Sequence, residues 1–207
     1  MSVFVKICGI TNEADALAAA EAGADAVGFM FYESSPRFVT PERVRPIAAA
    51  LPARIAKVGV FVNKPMLEVK LLADLCGLDT LQFHGDEPPD YCRAFAERKV
   101  WKAIAVKDSA SLGRLPLYEV DAWLLDAFVP GQRGGTGASF NWDLAGEANK
   151  LGHPILLAGG LTPGNVTDAV RRVQPWGVDV SSGVELSPGR KDPTKVREFI
   201  QAARAAA

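Results

Sequence analysis

The chain has 207 residues, 48% hydrophobic and 23% charged, with a formal net charge of -1. That is enough for a full core and short for two independent domains, so one domain over residues 1–207 is expected. The near-neutral balance leaves no footprint for nucleic acid or a membrane surface. No apolar run approaches the roughly 20 residues of a membrane span. The N-terminus has no basic-then-apolar leader, so a cytoplasmic protein is expected.

Strand-like and helix-like runs alternate from the start. Val3–Cys8 reads as a strand broken by Gly9, and its last residue, Cys8, is a thiol at a strand end. There a cysteine is either a small packing residue or, with a raised thiolate fraction, a nucleophile or base. Further strands are read at Ala26–Phe31, Ile55–Val62, Thr80–His84, Val100–Val106, Ala122–Ala127, Pro154–Ala158 and Gly177–Ser181. Between them the 3.6-residue period marks helices: Val44, Ile47, Ala48 and Leu51 behind Thr40-Pro41; Val166, Ala169, Val170 and Val173 behind Thr162-Pro163; Val196, Phe199, Ile200 and Ala203 behind Asp192-Pro193. Cys76 extends an apolar helical series and Cys92 falls in a short helix, so both read as packing residues. Three cysteines without metal-type spacing suggest neither a zinc site nor a disulfide frame.

Eight units of roughly 25 residues predict an α/β chain folded as a closed (β/α)8 barrel, near the lower size limit of that fold. An internal echo supports the count. Gly23-Ala24-Asp25, Gly77-Leu78-Asp79, Glu119-Val120-Asp121 and Gly177-Val178-Asp179 each place an Asp at the opening of an even-numbered strand. A doubly wound open sheet would also alternate strand and helix. Even spacing and the lack of a dinucleotide-type glycine fingerprint after the first strand favour the barrel.

Glycines gather after the last three strands: Gly131 to Gly137, which includes Gly135, then Gly159-Gly160, then Ser181-Ser182-Gly183. Turns alone need glycine, but three successive clusters at strand ends suit a phosphate, which requires close backbone N–H donors. Strand parity turns Lys6 and Cys8 inward, with Leu124 and Asp126, and with Thr80, Gln82 and His84. Lys6 then lies one layer below Cys8, with Asp179 on the neighbouring strand as its natural partner. Asp126 is either a loop cap or a catalytic carboxylate nearly opposite Cys8. Such a pair, one group giving a proton and the other taking one, suits an isomerase.

Lys6-Ile7-Cys8-Gly9-Ile10-Thr11, Leu81-Gln82-Phe83-His84-Gly85, Leu124-Leu125-Asp126, Gly134-Gly135-Thr136-Gly137, Ala158-Gly159-Gly160-Leu161 and Asp179-Val180-Ser181-Ser182-Gly183-Val184-Glu185 together resemble the phosphoribosylanthranilate isomerases of tryptophan biosynthesis, in order and over essentially the whole chain. The resemblance implies an Amadori rearrangement of N-(5-phosphoribosyl)anthranilate to 1-(2-carboxyphenylamino)-1-deoxyribulose 5-phosphate without a cofactor or metal. It makes Asp126 the general acid and Cys8 the general base, and pairs Arg37 with the anthranilate carboxylate. It also places the phosphate on the loops after strands six to eight. Gln82 and His84 are either substrate contacts or satisfied barrel groups. Asn141 stands where the family more usually has Asp, and caps a helix equally well.

Other readings stay open. The related histidine-pathway isomerase carries an aspartate where Cys8 stands. A Schiff-base aldolase would need an inward lysine, for which Lys102 is the candidate. A non-catalytic phosphometabolite sensor would keep the glycine loops and lose the acid or base. The expected partner is a small phosphoribosyl substrate, with no nucleic acid or membrane, and the chain is expected as a monomer or homodimer.

Overall fold

The computed structural model describes residues 2–127 and 142–207. Strands and helices alternate as β1 (Phe4–Cys8), α1 (Glu13–Ala22), β2 (Ala26–Met30), α2 (Pro41–Ala50), β3 (Ala56–Phe61), α3 (Met66–Cys76), β4 (Thr80–Phe83), α4 (Pro89–Arg93), β5 (Lys99–Val106), α5 (Ser109–Leu112), β6 (Ala122–Ala127), α6 (Trp142–Asn149), β7 (Ile155–Leu157), α7 (Val166–Val173) and β8 (Gly177–Val180). A small antiparallel hairpin, β9 (Glu185–Ser187) with β10 (Arg190–Lys191), precedes the last helix, α8 (Pro193–Ala205). Strands β1 to β8 pair in parallel with their sequence neighbours, and β8 closes onto β1. The expected closed barrel is therefore present and the open sheet is not. No helix among the described residues is long and apolar enough to cross a membrane.

Two apolar layers follow from strand parity. Outward residues such as Val5, Ile7, Phe29, Phe83, Ile104 and Leu125 pack with Val44, Val69, Ala145, Val170 and Phe199 of the helices in one cluster. Inward residues Ala26, Val58, Trp101, Ala103, Leu124 and Leu156 fill the barrel in a second. At the N-terminal end Phe4 stacks on Trp176 at 4.5 Å and meets Trp101 edge-on at 5.9 Å, covering the barrel floor. Cys76 and Cys92 are buried in the outer layer, as expected of packing residues.

The aspartate echo has a structural cause in three of its four members. Asp25 accepts the Val5 N–H at 2.8 Å, Asp79 accepts Lys57 N–H at 3.0 Å, and Asp121 accepts Val100 N–H at 2.7 Å. Each carboxylate precedes an even strand and satisfies an amide at the foot of the odd strand before it, a group the ladder leaves without a partner. Asp179 does not repeat this. It is the third residue of β8, three positions further up than the others, and Trp176 occupies the rim position instead.

Helix ends differ from expectation at one place. Asp192 caps α8 through the N–H groups of Thr194 and Lys195, as its sequence suggests. The helix expected behind Thr162-Pro163 begins only at Val166, with Asn165 as the residue before it. Asn165 turns its side chain back, accepting from Thr162 N–H at 2.8 Å and donating to the Gly160 carbonyl at 2.9 Å. It thus closes a loop where Pro163 would otherwise start the helix. Replacing Asp25, Asp79 and Asp121 singly by Ala should each cost about 1 kcal/mol, since each removes the side-chain acceptor of a strand-foot amide. The three share no partner, so urea unfolding of the triple variant should show close to the sum of the singles.

Candidate active site

The C-terminal ends of the strands frame a cleft lined by Cys8, Arg37, Gln82, His84, Asp126, Gly159, Gly160, Asp179, Ser181, Ser182 and Gly183. Ten of the eleven site residues expected from sequence therefore meet in one place; the remaining one, Gly135, lies outside the described residues, as do the rest of the Gly131–Gly137 run and Asn141.

Cys8 reaches the cleft from the last position of β1. Its neighbours set the local charge. Lys6, fully buried one layer down, donates to Asp179 Oδ1 at 2.8 Å, and the register pairs these two residues across the β1–β8 seam. Burial pushes the Cys8 thiol above its ordinary value, the Lys6 ammonium pulls it down, and the Asp179 carboxylate pushes it up again. Lys6 itself is lowered by burial, but Asp179 and Cys8 outweigh this and hold it above its ordinary value. Burial thus works against the thiolate at this position, and the ammonium below works for it.

Gly28 was not singled out by its sequence, yet it makes this arrangement possible. It lies beside Cys8 in the β1–β2 register, and a Cβ there would stand 2.7 Å from Cys8 Sγ and 3.1 Å from Lys6 Cε. A glycine inside a strand ordinarily signals a bulge or a close approach; here inward parity next to Cys8 is the signal that identifies it. Gly9 works in the same way one turn later. Its φ of +74° suits glycine, and a Cβ would meet Arg37 Cδ at 2.6 Å.

Arg37 lines the cleft but its fork is engaged. Nε donates to Glu185 Oε1 at 2.9 Å and Nη2 to Oε2 at 2.7 Å, a bidentate pair. Glu185 Oε1 also accepts from Lys191 Nζ at 2.8 Å, and Lys191 Nζ donates to the Ser181 carbonyl at 3.1 Å. Burial alone would raise the Glu185 carboxyl; Arg37 and Lys191 together hold it below the ordinary range. The hairpin carrying Glu185 and Lys191 is tied to α1, where Asp15 accepts the Lys191 N–H at 2.8 Å, and to the turn before α1, where Thr11 donates to the Gly189 carbonyl at 2.5 Å. Sequence reasoning placed Glu185 only inside a motif and passed over Lys191, because their partners lie far along the chain.

On the opposite wall, His84 Nε2 lies 3.2 Å from Asp126 Oδ2, and Gln82 Nε2 lies 3.0 Å from His84 Nδ1. The loop after β4 is pinned from beneath. Lys102 Nζ donates to Glu87 Oε2 and to the Gly85 carbonyl, both at 2.7 Å, while Glu87 accepts the N–H groups of Gly85 and Asn63. Lys102 is thus committed to a buried ion pair and is not a free amine at the mouth, which removes the aldolase reading. Gly159 and Gly160 both take positive φ, +85° and +66°. A Cβ on Gly183 would run into the Leu161 carbonyl, so the loops after β7 and β8 close together only with glycine there.

A comparison with known proteins agrees over the full length. Residues 5–202 match the family model of N-(5'phosphoribosyl)anthranilate (PRA) isomerase. The chain belongs to the PRA isomerase family. A curated PRA isomerase relative from Geobacter metallireducens is 55% identical over 203 residues, covering 98% of this chain and 100% of that one. The crystal structure of phosphoribosyl anthranilate isomerase from Thermotoga maritima superposes with a TM-score of 0.92 at 43% identity, over 98% of this chain and 99% of that one. Another solved isomerase, in complex with reduced 1-(o-carboxyphenylamino)-1-deoxyribulose 5-phosphate, superposes at 0.89 with 41% identity over 98% and 99% of the two chains. Family membership makes this protein an isomerase, and it removes the sensor reading.

Two outcomes follow from the thiol's surroundings. Gly28→Ala should displace Cys8 Sγ and change the rate of its alkylation by iodoacetamide, with far-UV circular dichroism unchanged, because the added Cβ would stand 2.7 Å from the sulfur. Asp179→Asn removes the charge that raises the thiol, so the pH profile of Cys8 alkylation by iodoacetamide should shift to lower pH. Cys76 and Cys92, each pushed up to about 11 by burial, leave little background near neutral pH.

Proposed function

We propose that this isomerase converts N-(5'-phosphoribosyl)anthranilate to 1-(o-carboxyphenylamino)-1-deoxyribulose 5-phosphate in tryptophan biosynthesis, by an acid–base Amadori rearrangement that uses its own side chains. The observation that carries this reading is one cleft with Cys8 and Asp126 on facing walls and the glycine turns after β7 and β8 between them. β1 and β6 lie three strands apart through the β8 seam, so a sugar can bridge the two groups.

Asp126, as the carboxylic acid, gives its proton to the furanose ring oxygen. The C1′–O bond breaks, and the anilino nitrogen lone pair forms the C1′=N bond of a protonated Schiff base. The Cys8 thiolate then takes the C2′ proton. The C–H electron pair becomes the C1′=C2′ bond and the C1′=N pair returns to nitrogen. The resulting enolamine tautomerises to the ketone. Burial disfavours the Cys8 thiolate, but the positive charge of the Schiff base develops beside it, and an adjacent cation favours the ionised sulfur that takes the proton. Lys6 adds a fixed cation below. The thiolate thus becomes favourable at the step that uses it.

The remaining cleft residues hold the substrate's two ends. Arg37, locked on Glu185 by one edge of its guanidinium, offers its other edge to the anthranilate carboxylate. The paired positive-φ glycines Gly159 and Gly160, with Ser181, Ser182 and Gly183, form the concave backbone surface on which the 5'-phosphate sits, where N–H groups and not side chains carry the anion. Gly135 contributes to the same end. The test is the loss of anthranilate-type fluorescence when phosphoribosylanthranilate is generated in situ. Wild type should turn over rapidly, whereas Cys8→Ala and Asp126→Asn should each lose about two to four orders of magnitude in kcat while still binding reduced product. Near-normal kcat in either variant would remove that residue from its role.

A further inference from the structure

Strand order decides where the aryl end of the substrate lies. The phosphate is assigned above to the loops after β7 and β8, and the reacting carbons to the space between Cys8 on β1 and Asp126 on β6. In the closed barrel β3 is directly across from β7, and β2 directly across from β6. A group carried on C1′, at the other end of the sugar from the phosphate, therefore projects towards the ends of β2 and β3. The side chains lining the cleft there are Met30, Ser35, Arg37 and Val60.

Met30 is the last residue of β2, in register with Val60 of β3, which pairs in turn with Gln82 of β4. Among the described lining residues Val60, Ala158, Leu161 and Val180 are buried, and Met30 is the one apolar side chain that is only half-buried. A methionine that merely filled core would be covered; this one stands at the mouth with part of its surface free. Main-chain bonds fix its relation to Arg37. The loop leaving β2 turns straight back, so that Val39 N–H donates to the Met30 carbonyl at 3.0 Å and Phe38 forms a bridge with Met30. Ser35 Oγ accepts the Arg37 N–H at 3.2 Å within the same loop. One strand end thus carries a flexible, polarisable thioether, which packs well against a flat ring, and a guanidinium suited to a carboxylate. An ortho-aminobenzoate offers both features on one rigid plane. We propose that Met30 is a specificity-determining residue that packs against the arylamine ring while Arg37 takes its carboxylate, an inference that rests on the substrate reading given above.

Arg37 alone would accept any N-substituent with a carboxylate at the right reach, an aliphatic amino acid included. Met30 adds a preference for an aromatic plane. It also sets the room at the ring edge, because Val60 in register beside it is fully buried and offers no alternative surface. Shortening residue 30 makes room for a ring substituent, and enlarging it removes room. The contact is with the aryl group and not with C1′, C2′ or the ring oxygen. Its loss weakens the bound substrate and the transition state alike, and so appears in KM and not in kcat. Apolar pockets discriminate one methyl group by about tenfold to two-hundredfold, which bounds the effect.

The test compares substrates prepared in situ from ribose 5-phosphate with anthranilate or with 5-methylanthranilate, on wild type, Met30→Leu, Met30→Ala and Met30→Trp. Met30→Ala should raise KM for the unsubstituted substrate about tenfold with kcat close to wild type, and should reduce discrimination against the methylated one by a similar factor. Met30→Trp should raise KM for both substrates and sharpen that discrimination, while Met30→Leu, of similar volume, should stay near wild type. Inhibition by ribulose 5-phosphate, which has the phosphate and no ring, should be the same in all four proteins. An unchanged KM and unchanged discrimination in both Met30→Ala and Met30→Trp overturn the assignment. So does an equal weakening of ribulose 5-phosphate, which would mean that the whole cleft is distorted. Wild type itself decides the underlying reading: turnover of the unsubstituted substrate upholds it whatever the Met30 variants do, and no turnover removes both the reading and the slot.

Discussion

The buried ion pair between Lys6 and Asp179 is the constraint around which the site is organised. A lysine with no exposed surface is tolerated only when its charge is met, and here the carboxylate that meets it arrives from the other end of the chain. The pair fixes the register of β1 against β8. It also decides which residue stands in the layer above, since Cys8 follows Lys6 by two positions on the same face. Stability and reactivity are therefore coupled at one point: the ammonium that closes the barrel is the cation beneath the thiol. Gly28 is the necessary neighbour of this layer, because the lysine stem and the sulfur together occupy the space of its missing side chain.

A second ionic assembly, Arg37–Glu185–Lys191, serves the rim as Lys6–Asp179 serves the interior. One carboxylate between two cations leaves a net positive charge at the cleft wall, suited to an anionic substrate, while the bidentate geometry prevents the guanidinium from swinging. Arg37 stands on the loop after β2, and Glu185 with Lys191 on the hairpin after β8. These loops flank the end of β1, so the cluster clamps the region around Cys8 from both sides.

Much of this was legible in the residues themselves. Alternation along β1, β4 and β6 was sufficient to place Lys6, Cys8, Gln82, His84 and Asp126 inward, because a parallel barrel allows each strand only one choice of face. The Lys6–Asp179 pair followed from the same parity. What was not legible depended on contacts between distant segments. Arg37 and Glu185 are 148 positions apart, and no local pattern announces that the guanidinium is already engaged. Thr162-Pro163 read as a helix start because proline suits the first helical position; the Asn165 side chain offered the loop a better closure. Asp179 matched the echo of Asp25, Asp79 and Asp121 in letters but not in height, since β8 starts two residues before it and the other strands start one residue after their aspartates.

The three rim aspartates also bear on how the barrel is assembled. Each binds an amide only 20 to 22 residues away, within a single strand–helix–strand unit, so three of the four quarters carry a local clasp. Such short-range contacts form at small loop-closure cost. Among the described residues, the quarter containing β7 and β8 has no such aspartate clasp, though Asn149 donates to the Val173 and Gln174 carbonyls between α6 and α7. Its foot is held by Trp176 against Phe4 and Trp101, and its upper end by Asp179 on Lys6, contacts that exist only once the two ends of the chain have met. That quarter is the seam, and it bears the Gly159-Gly160 and Ser182-Gly183 turns. A phosphorylated ligand seated there, as proposed, would bridge the loops after β7 and β8. By linkage it would tighten the seam at which the two ends of the barrel meet, and so protect it from local opening.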